Sequence, residues 1–373
     1  MNRPPFSLRS RRKSRPAGLP WIAVATLVVA TGLTACHPTS SAPATTTNAI
    51  TRPALWISRA ELAKLPTSGP AWTNLVSEAN ANWGAPSLSD NSASHDTSTL
   101  AGAFVAVRTG NIYLTGKTRA AIMSVTKVTS YSRVLELSRN ITSYVIAADL
   151  VGLSVANQAT FRAFVAGLRT KPLSGHSGGY DMVSTALRSP NNWGAMARAA
   201  VTAIDLYIGD RQQLAAVVSA HRAWLGDAVP NQLRWSSTAW HGDGRPTGIN
   251  RRGATLMGRN IDGVEPEDQR RTGEPTSRAA PEGSYPWEAL QGALVTGVLL
   301  QRAGLASINA GDRALVRAFT WLYRVNTNPA VADDTWQPWV LNRTTGAKFA
   351  TAPAKSPGKN MGWSDWTHGP LAS

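Results

Sequence analysis

The chain has 373 residues, with 38 Lys or Arg, 22 Asp or Glu and a single Cys. One Cys excludes an internal disulfide framework and any multi-thiolate metal centre. Hydrophobic residues at 43% and charged ones at 16% exclude wholesale disorder, and the length allows one large core or two ordinary ones.

Residues 1–35 carry six of the basic groups and no acidic one, which leaves 32 against 22, a formal +10, on the rest. Arg3, Arg9, Arg11, Arg12, Lys13 and Arg15 precede an apolar run from Trp21 to Leu33. A basic start, a short apolar stretch and small residues are the parts of an export signal. The run is too short for a comfortable membrane span. Its ending, Leu33-Thr34-Ala35-Cys36, fits a bacterial lipoprotein signal in which Cys36 becomes the lipidated first residue. The expected organisation is a signal at 1–35, a flexible Ser/Thr/Pro linker at 36–52, a helical domain at 53–349 and a tail at 350–373. The tail, with Trp363, Trp366 and His368, either folds back or trails free. The expected location is a cell surface or periplasm-like space, with the lipid as the only membrane attachment.

From Ala71 onward apolar residues recur at three and four positions, the helical period. Leu100, Phe104 and Val107 form one stripe; Val134, Leu137, Ile141, Val145 and Ala148 another; Met196, Ala200, Ile204 and Tyr207 a third. Further runs cover Phe161–Leu168, Ala289–Leu300 and Leu315–Tyr323. Helix stops are marked by Thr109-Gly110-Asn111, Ile208-Gly209-Asp210 and Arg302-Ala303-Gly304. Alternating strand patterns are scarce. The pattern predicts an all-α fold of antiparallel helix pairs, an α-solenoid or a closed (α/α) toroid, and the absence of a fixed period favours the toroid.

Trp235–Ser284 breaks the helical texture. It is rich in Gly and Arg, with Arg251, Arg252, Arg259, Arg270, Arg271 and Arg278 among them, and it holds Trp240 and His241. A long irregular segment inside a helical domain is either functional or a mobile surface loop; the aromatic residues favour function. Of the thirteen Trp beyond Trp21, Trp56, Trp72, Trp83 and Trp321 read as core fillers. Trp193, Trp235, Trp240, Trp287, Trp336 and Trp339 lie in or beside polar loops, where a flat ring can stack on a sugar.

Ser189-Pro190-Asn191-Asn192-Trp193 opens a helix. Capping needs one Asn, so the second is open to binding an anionic carboxylate beside the helix's backbone donors. Tyr285 heads another helix, either as a packed ring or as a phenolic acid or base beside the Arg-rich segment. No Gly-rich phosphate loop, metal-spaced His pair or nucleophile elbow is present. The sequence therefore predicts no metal and no cofactor.

Taken in order, the Asn191-Asn192 pair, Asp262-Gly263-Val264-Glu265-Pro266 with Arg270-Arg271, and Tyr285 ahead of Glu288-Ala289-Leu290 resemble the alginate-lyase family. That family belongs to the α/α-toroid polysaccharide lyases, and the resemblance covers about residues 53–345. It implies β-elimination on a uronate polysaccharide. Asn192 with Arg271 or Arg270 would neutralise the carboxylate, and Tyr285 would serve as acid and in syn elimination also as base. Asn191, Trp193, Arg270, Arg278, Trp240, His241 and Trp287 would contact substrate. The implied partner is an anionic polysaccharide, which the basic balance suits, and not a nucleic acid. One position departs: the family commonly has His after the Asn pair, and here it is Trp193. His176 and His241 are the residues available to replace it. Rival readings are a glycan-binding lipoprotein without turnover, a helical interaction scaffold, and an α/α-barrel glycoside hydrolase using Asp262, Asp268 and Glu288.

Overall fold

The structure, a computed structural model, describes residues 53–242, 248–272, 285–354 and 358–370. Cys36, Arg278 and the proposed signal and linker lie outside them. The described residues fall within one compact unit.

In chain order the helices are α1 (Arg59–Leu62), α2 (Pro70–Asn80), α3 (His95–Thr109), α4 (Ile112–Val125), α5 (Val134–Val151), α6 (Val155–Arg169) and α7 (Met182–Arg188). There follow α8 (Asn192–Ile208), α9 (Arg211–Trp224), α10 (Pro266–Gln269), α11 (Tyr285–Arg302), α12 (Ala310–Thr320), α13 (Gln337–Thr345) and α14 (Ser364–Thr367). Among the described residues the named strands are one two-residue antiparallel pair, Thr255–Leu256 with Arg259–Asn260.

The predicted helix stops hold. Gly110 and Gly209 adopt left-handed backbone just past α3 and α8, and Asn111 and Asp210 then cap the next helices. Left-handed backbone suits glycine because it has no Cβ to clash. Each such turn reverses the chain, so successive helices run antiparallel.

Helix α8 is the hub and packs against α5, α7, α9 and α11. Nearly every residue of α5, α8 and α11 is buried. Their apolar residues build the core, each buried Leu, Val or Ile adding about 1.5–3 kcal/mol, and charged members such as Arg139 and Arg198 are buried with them on protein partners. Small residues let α8 and α11 approach closely: a Cβ on Gly292 would lie 2.3 Å from the Ala195 carbonyl carbon. The result is a set of antiparallel helix pairs in an α/α-toroid-like arrangement.

The irregular segment is ordered where it is described. Asn250 ties it together, donating to the Trp240 and Val264 carbonyls at 2.7 and 3.1 Å and accepting from Gly242 N–H at 3.0 Å. Arg317 of α12 pins it through Asp262 at 2.8 Å. Gly263 has φ +84, and a Cβ there would meet the Arg317 carbonyl oxygen at 2.3 Å. Asp262-Gly263 is thus a docking turn for α12.

Residues 358–370 fold back onto the domain. Trp363 and Trp366 are buried and donate to the Thr97 and Pro66 carbonyls, both at 2.8 Å. His368 packs on Trp56, ring centroids 5.4 Å apart. Among the described residues no helix is long and apolar enough to cross a membrane.

Candidate active site

The start of α8 is fastened from beneath. Buried Arg198 donates to the Ala186 and Ser189 carbonyls at 2.9 and 3.0 Å, and Trp224 donates to the Pro190 carbonyl at 2.6 Å. Burial lowers the Arg198 guanidinium to about 9, while Glu265 and Asp268 oppose that fall. The two asparagines then divide their tasks. Asn191 caps the helix, its side chain accepting from Gly194 N–H at 3.5 Å. Asn192 points across the interface instead, its side-chain amide donating to Glu288 of α11 at 2.6 Å.

Asp268 holds the same turn from the other side. It is fully buried, accepts from the Asn192 backbone N–H at 2.5 Å, and pairs with Arg271 at 3.1 Å. Burial pushes its carboxyl up to about 7 against the pull of Arg271. Glu265 caps α10 by accepting from the Glu267 and Asp268 N–H groups at 3.1 and 2.6 Å. Burial and the Asp268 charge push its carboxyl well up.

Arg271 joins the pieces. Its guanidinium donates to the Asn192 side-chain oxygen at 3.5 Å and lies 3.4 Å from the Tyr285 ring centroid. That is a close cation–π contact. Asn192, Arg271 and Tyr285, from three separate segments, therefore meet at one place. Tyr285 is half-buried and Arg271 faces solvent, so the cluster is open on that side.

Glu288 lies three residues after Tyr285, on the same helical face. Its second oxygen takes Arg139 of α5 at 2.6 Å, and Lys359 stands at 3.5 Å. Lys359 also pairs with Asp333 at 3.2 Å. Sequence reasoning missed Arg139 and Lys359. Arg139 had a signal: it falls between Leu135 and Ile141 on a helix long enough to be buried, and a buried charge needs a partner.

The rim carries Trp193, half-exposed, with the Arg133 guanidinium 5.2 Å above its ring and His176 5.8 Å away. His176 sits on a loop that Ser189 holds, its hydroxyl donating to the His176 carbonyl at 2.6 Å. Partial burial lowers the His176 imidazole; Glu267 opposes, while Arg271 and Arg270 add to the fall. Arg270 is turned to Glu267 at 2.6 Å.

Two expected substrate contacts are placed elsewhere. Trp287 is 1% exposed, packed edge-on to Phe319 at 4.8 Å and donating to the Asn328 carbonyl. Two residues past Tyr285 is the opposite face of a helix, so Trp287 enters the core. Trp240 is 3% exposed, its backbone N–H donating to the Pro266 carbonyl. Neither ring offers a face to a glycan. His241 stands edge-on to Trp235 at 5.3 Å. Of the rival carboxylates, Asp262 serves Arg317 rather than the cluster.

Among the described residues no group of three or more His, Cys, Asp or Glu could hold a metal ion. The scaffold is of the α/α-toroid-like class, with a polar cluster at the junction of α5, α8 and α11. No family model and no curated protein matches the chain.

Proposed function

We propose that this protein is an exported polysaccharide lyase, related to the alginate lyases, that cleaves a uronate-containing glycan by β-elimination. The observation that carries it is Arg271 touching both the Asn192 amide and the Tyr285 ring. These are the three groups the reaction needs in one place. Asn192 and Arg271 offset the sugar carboxylate's charge, which makes the adjacent C5–H acidic. A base takes that proton, the C4–O bond breaks, and the C5–H electron pair becomes the C4=C5 double bond. The Tyr285 hydroxyl protonates the departing oxygen. The base is either the same phenol, in a syn elimination, or His176, whose ring lies beside Trp193. His176→Ala separates the two. Anchorage through a lipidated Cys36 would keep the enzyme at the outer face of a membrane.

The test is direct. The mature domain is given alginate, hyaluronan, chondroitin and pectate, and the unsaturated product is followed by its ultraviolet absorbance. A folded protein that gives no signal on any of them overturns the proposal.

A second reading, an α/α-barrel glycoside hydrolase, draws on Asp268 and Glu288 meeting at Asn192. Asp268 is fully buried and Glu288 already ion-paired, which weighs against it. New reducing ends without ultraviolet absorbance would select it. Glycan binding unchanged by Tyr285→Phe, with no turnover, would select a binding protein.

A further inference from the structure

Asn192, one of the two donors assigned to the sugar carboxylate, already holds a carboxylate, while Arg271 is paired with Asp268. Glu288 accepts from Asn192 at 2.6 Å and from Arg139 at 2.6 Å, with Lys359 at 3.5 Å. These donors come from α5, α8 and the returning segment at 359, three parts of the chain with no shared helix. They converge on a single carboxylate, Asn192 on one oxygen and Arg139 on the other, and charge-assisted bonds of this kind are strong.

The arrangement has an inside and an outside. Arg139 is 3% exposed and is held from behind by the Asn91 side-chain oxygen at 2.6 Å. Glu288, at 12%, is more accessible than Arg139, and Lys359, at 34%, lies outermost. Lys359 has an alternative partner in Asp333 at 3.2 Å. The cations are therefore fixed or separately satisfied, and the carboxylate is the piece that can leave. Glu288 also shares a helical face with Tyr285, so the acid it presents lies one turn from the proposed catalytic phenol.

We propose that Glu288 is a displaceable internal ligand: its carboxylate occupies the uronate subsite formed by Asn192, Arg139 and Lys359, and a sugar carboxylate takes its place on binding. The proposal rests on the lyase reading for the identity of the ligand and adds Arg139 and Lys359 to its binding residues. Removing one partner from a buried ion pair leaves the other uncompensated and is strongly unfavourable. An incoming carboxylate keeps Arg139 compensated, and the released Glu288, the partner of that pair nearer solvent, exchanges its protein donors for water. A neutral sugar cannot, so the exchange selects for acids by penalising everything else.

The experiment measures glucuronate and glucose binding by calorimetry to the wild type and to Glu288→Gln. The amide keeps the side chain's shape and one acceptor for Arg139 while removing the competing charge. Glucuronate should bind Glu288→Gln about tenfold or more tighter than the wild type, with glucose unchanged, and should raise the variant's melting temperature more than the wild type's. A purely structural ion pair predicts a destabilised variant that glucuronate neither binds better nor rescues, and a folded Glu288→Gln behaving so overturns the proposal. Should that variant not fold, Glu288→Asp decides, since its shortened carboxylate draws back from Arg139. An intermediate gain is expected, and equal or weaker glucuronate affinity overturns the proposal. Cleavage by the wild type without a gain in the variant removes the displacement and keeps the lyase. A gain without any cleavage by the wild type keeps the displacement and removes the lyase.

Discussion

Gly292 and Gly297 lie on the same helix, and the same substitution at each should act in opposite directions. A Cβ on Gly292 would sit 2.3 Å from the Ala195 carbonyl carbon and 2.4 Å from its oxygen, both backbone atoms of α8. Relief needs α11 and α8 to part by about 1 Å, and overpacking of this kind costs about 1–3 kcal/mol. At roughly 2–4 °C of melting temperature per kcal/mol, Gly292→Ala should melt about 2–12 °C lower. The shift also lengthens the 2.6 Å bond between Asn192 and Glu288, to about 3.6 Å, beyond hydrogen-bonding range. At Gly297 a Cβ meets only side chains, the nearest being Ile308 at 3.4 Å, in ordinary contact. There the alanine restricts the unfolded chain and should stabilise by about 0.4–1 kcal/mol. Thermal unfolding followed by circular dichroism measures both. A Gly292→Ala protein melting within a degree or so of wild type, or a Gly297→Ala protein falling as far as Gly292→Ala, would refute the close-packing argument.

Tyr285→Phe should lower the rate of unsaturated product formation by about 10²–10⁴-fold, and Asn192→Ala by about 10²–10³-fold, with circular dichroism unchanged in the first. Either variant retaining wild-type rates would remove that residue from the chemistry. Trp363→Ala empties a site 2% exposed to solvent and should cost about 3–5 kcal/mol, read from urea unfolding. A midpoint equal to wild type would show that the returning segment does not brace the core. Burial pushes the Asp96 carboxyl up to about 8. The folded chain thus keeps a proton that the unfolded chain releases above about 3.9. This contribution to stability is complete below the unfolded value and is lost as pH rises to about 8. Wild-type melting temperature should therefore fall more between about pH 5 and about pH 8 than that of Asp96→Asn; equal slopes would argue against the buried acid.

The helices were legible because their periodicity and their glycine stops agree: Gly110 and Gly209 sit where the apolar stripes end, and both are left-handed. The Asn pair was legible as a helix start, and its division into one cap and one cross-helix donor follows from there being two. Trp240 and Trp287 were misplaced because a polar neighbourhood in sequence says little about burial. Trp287 enters the core through helical phase, and Trp240 through the Asn250 ties that fold its loop inward. Arg139 and Lys359 stand far from residue 288 in sequence, and only tertiary folding brings all three together. The tail's two alternatives could not be separated from its composition, since Trp363 and Trp366 find their carbonyl acceptors far back in the chain, in α3 and in the loop between α1 and α2.

The returning segment ties assembly to the order of synthesis. Lys359, Trp363 and Trp366 are translated after every long helix they brace, and Trp366 reaches back to the carbonyl of Pro66. A nascent chain stopped before residue 359 has all the long helices but lacks one cation beside Glu288 and two core tryptophans. Those contacts form only after that stretch has emerged, so the returning segment is the last part of the core to be set in place during synthesis.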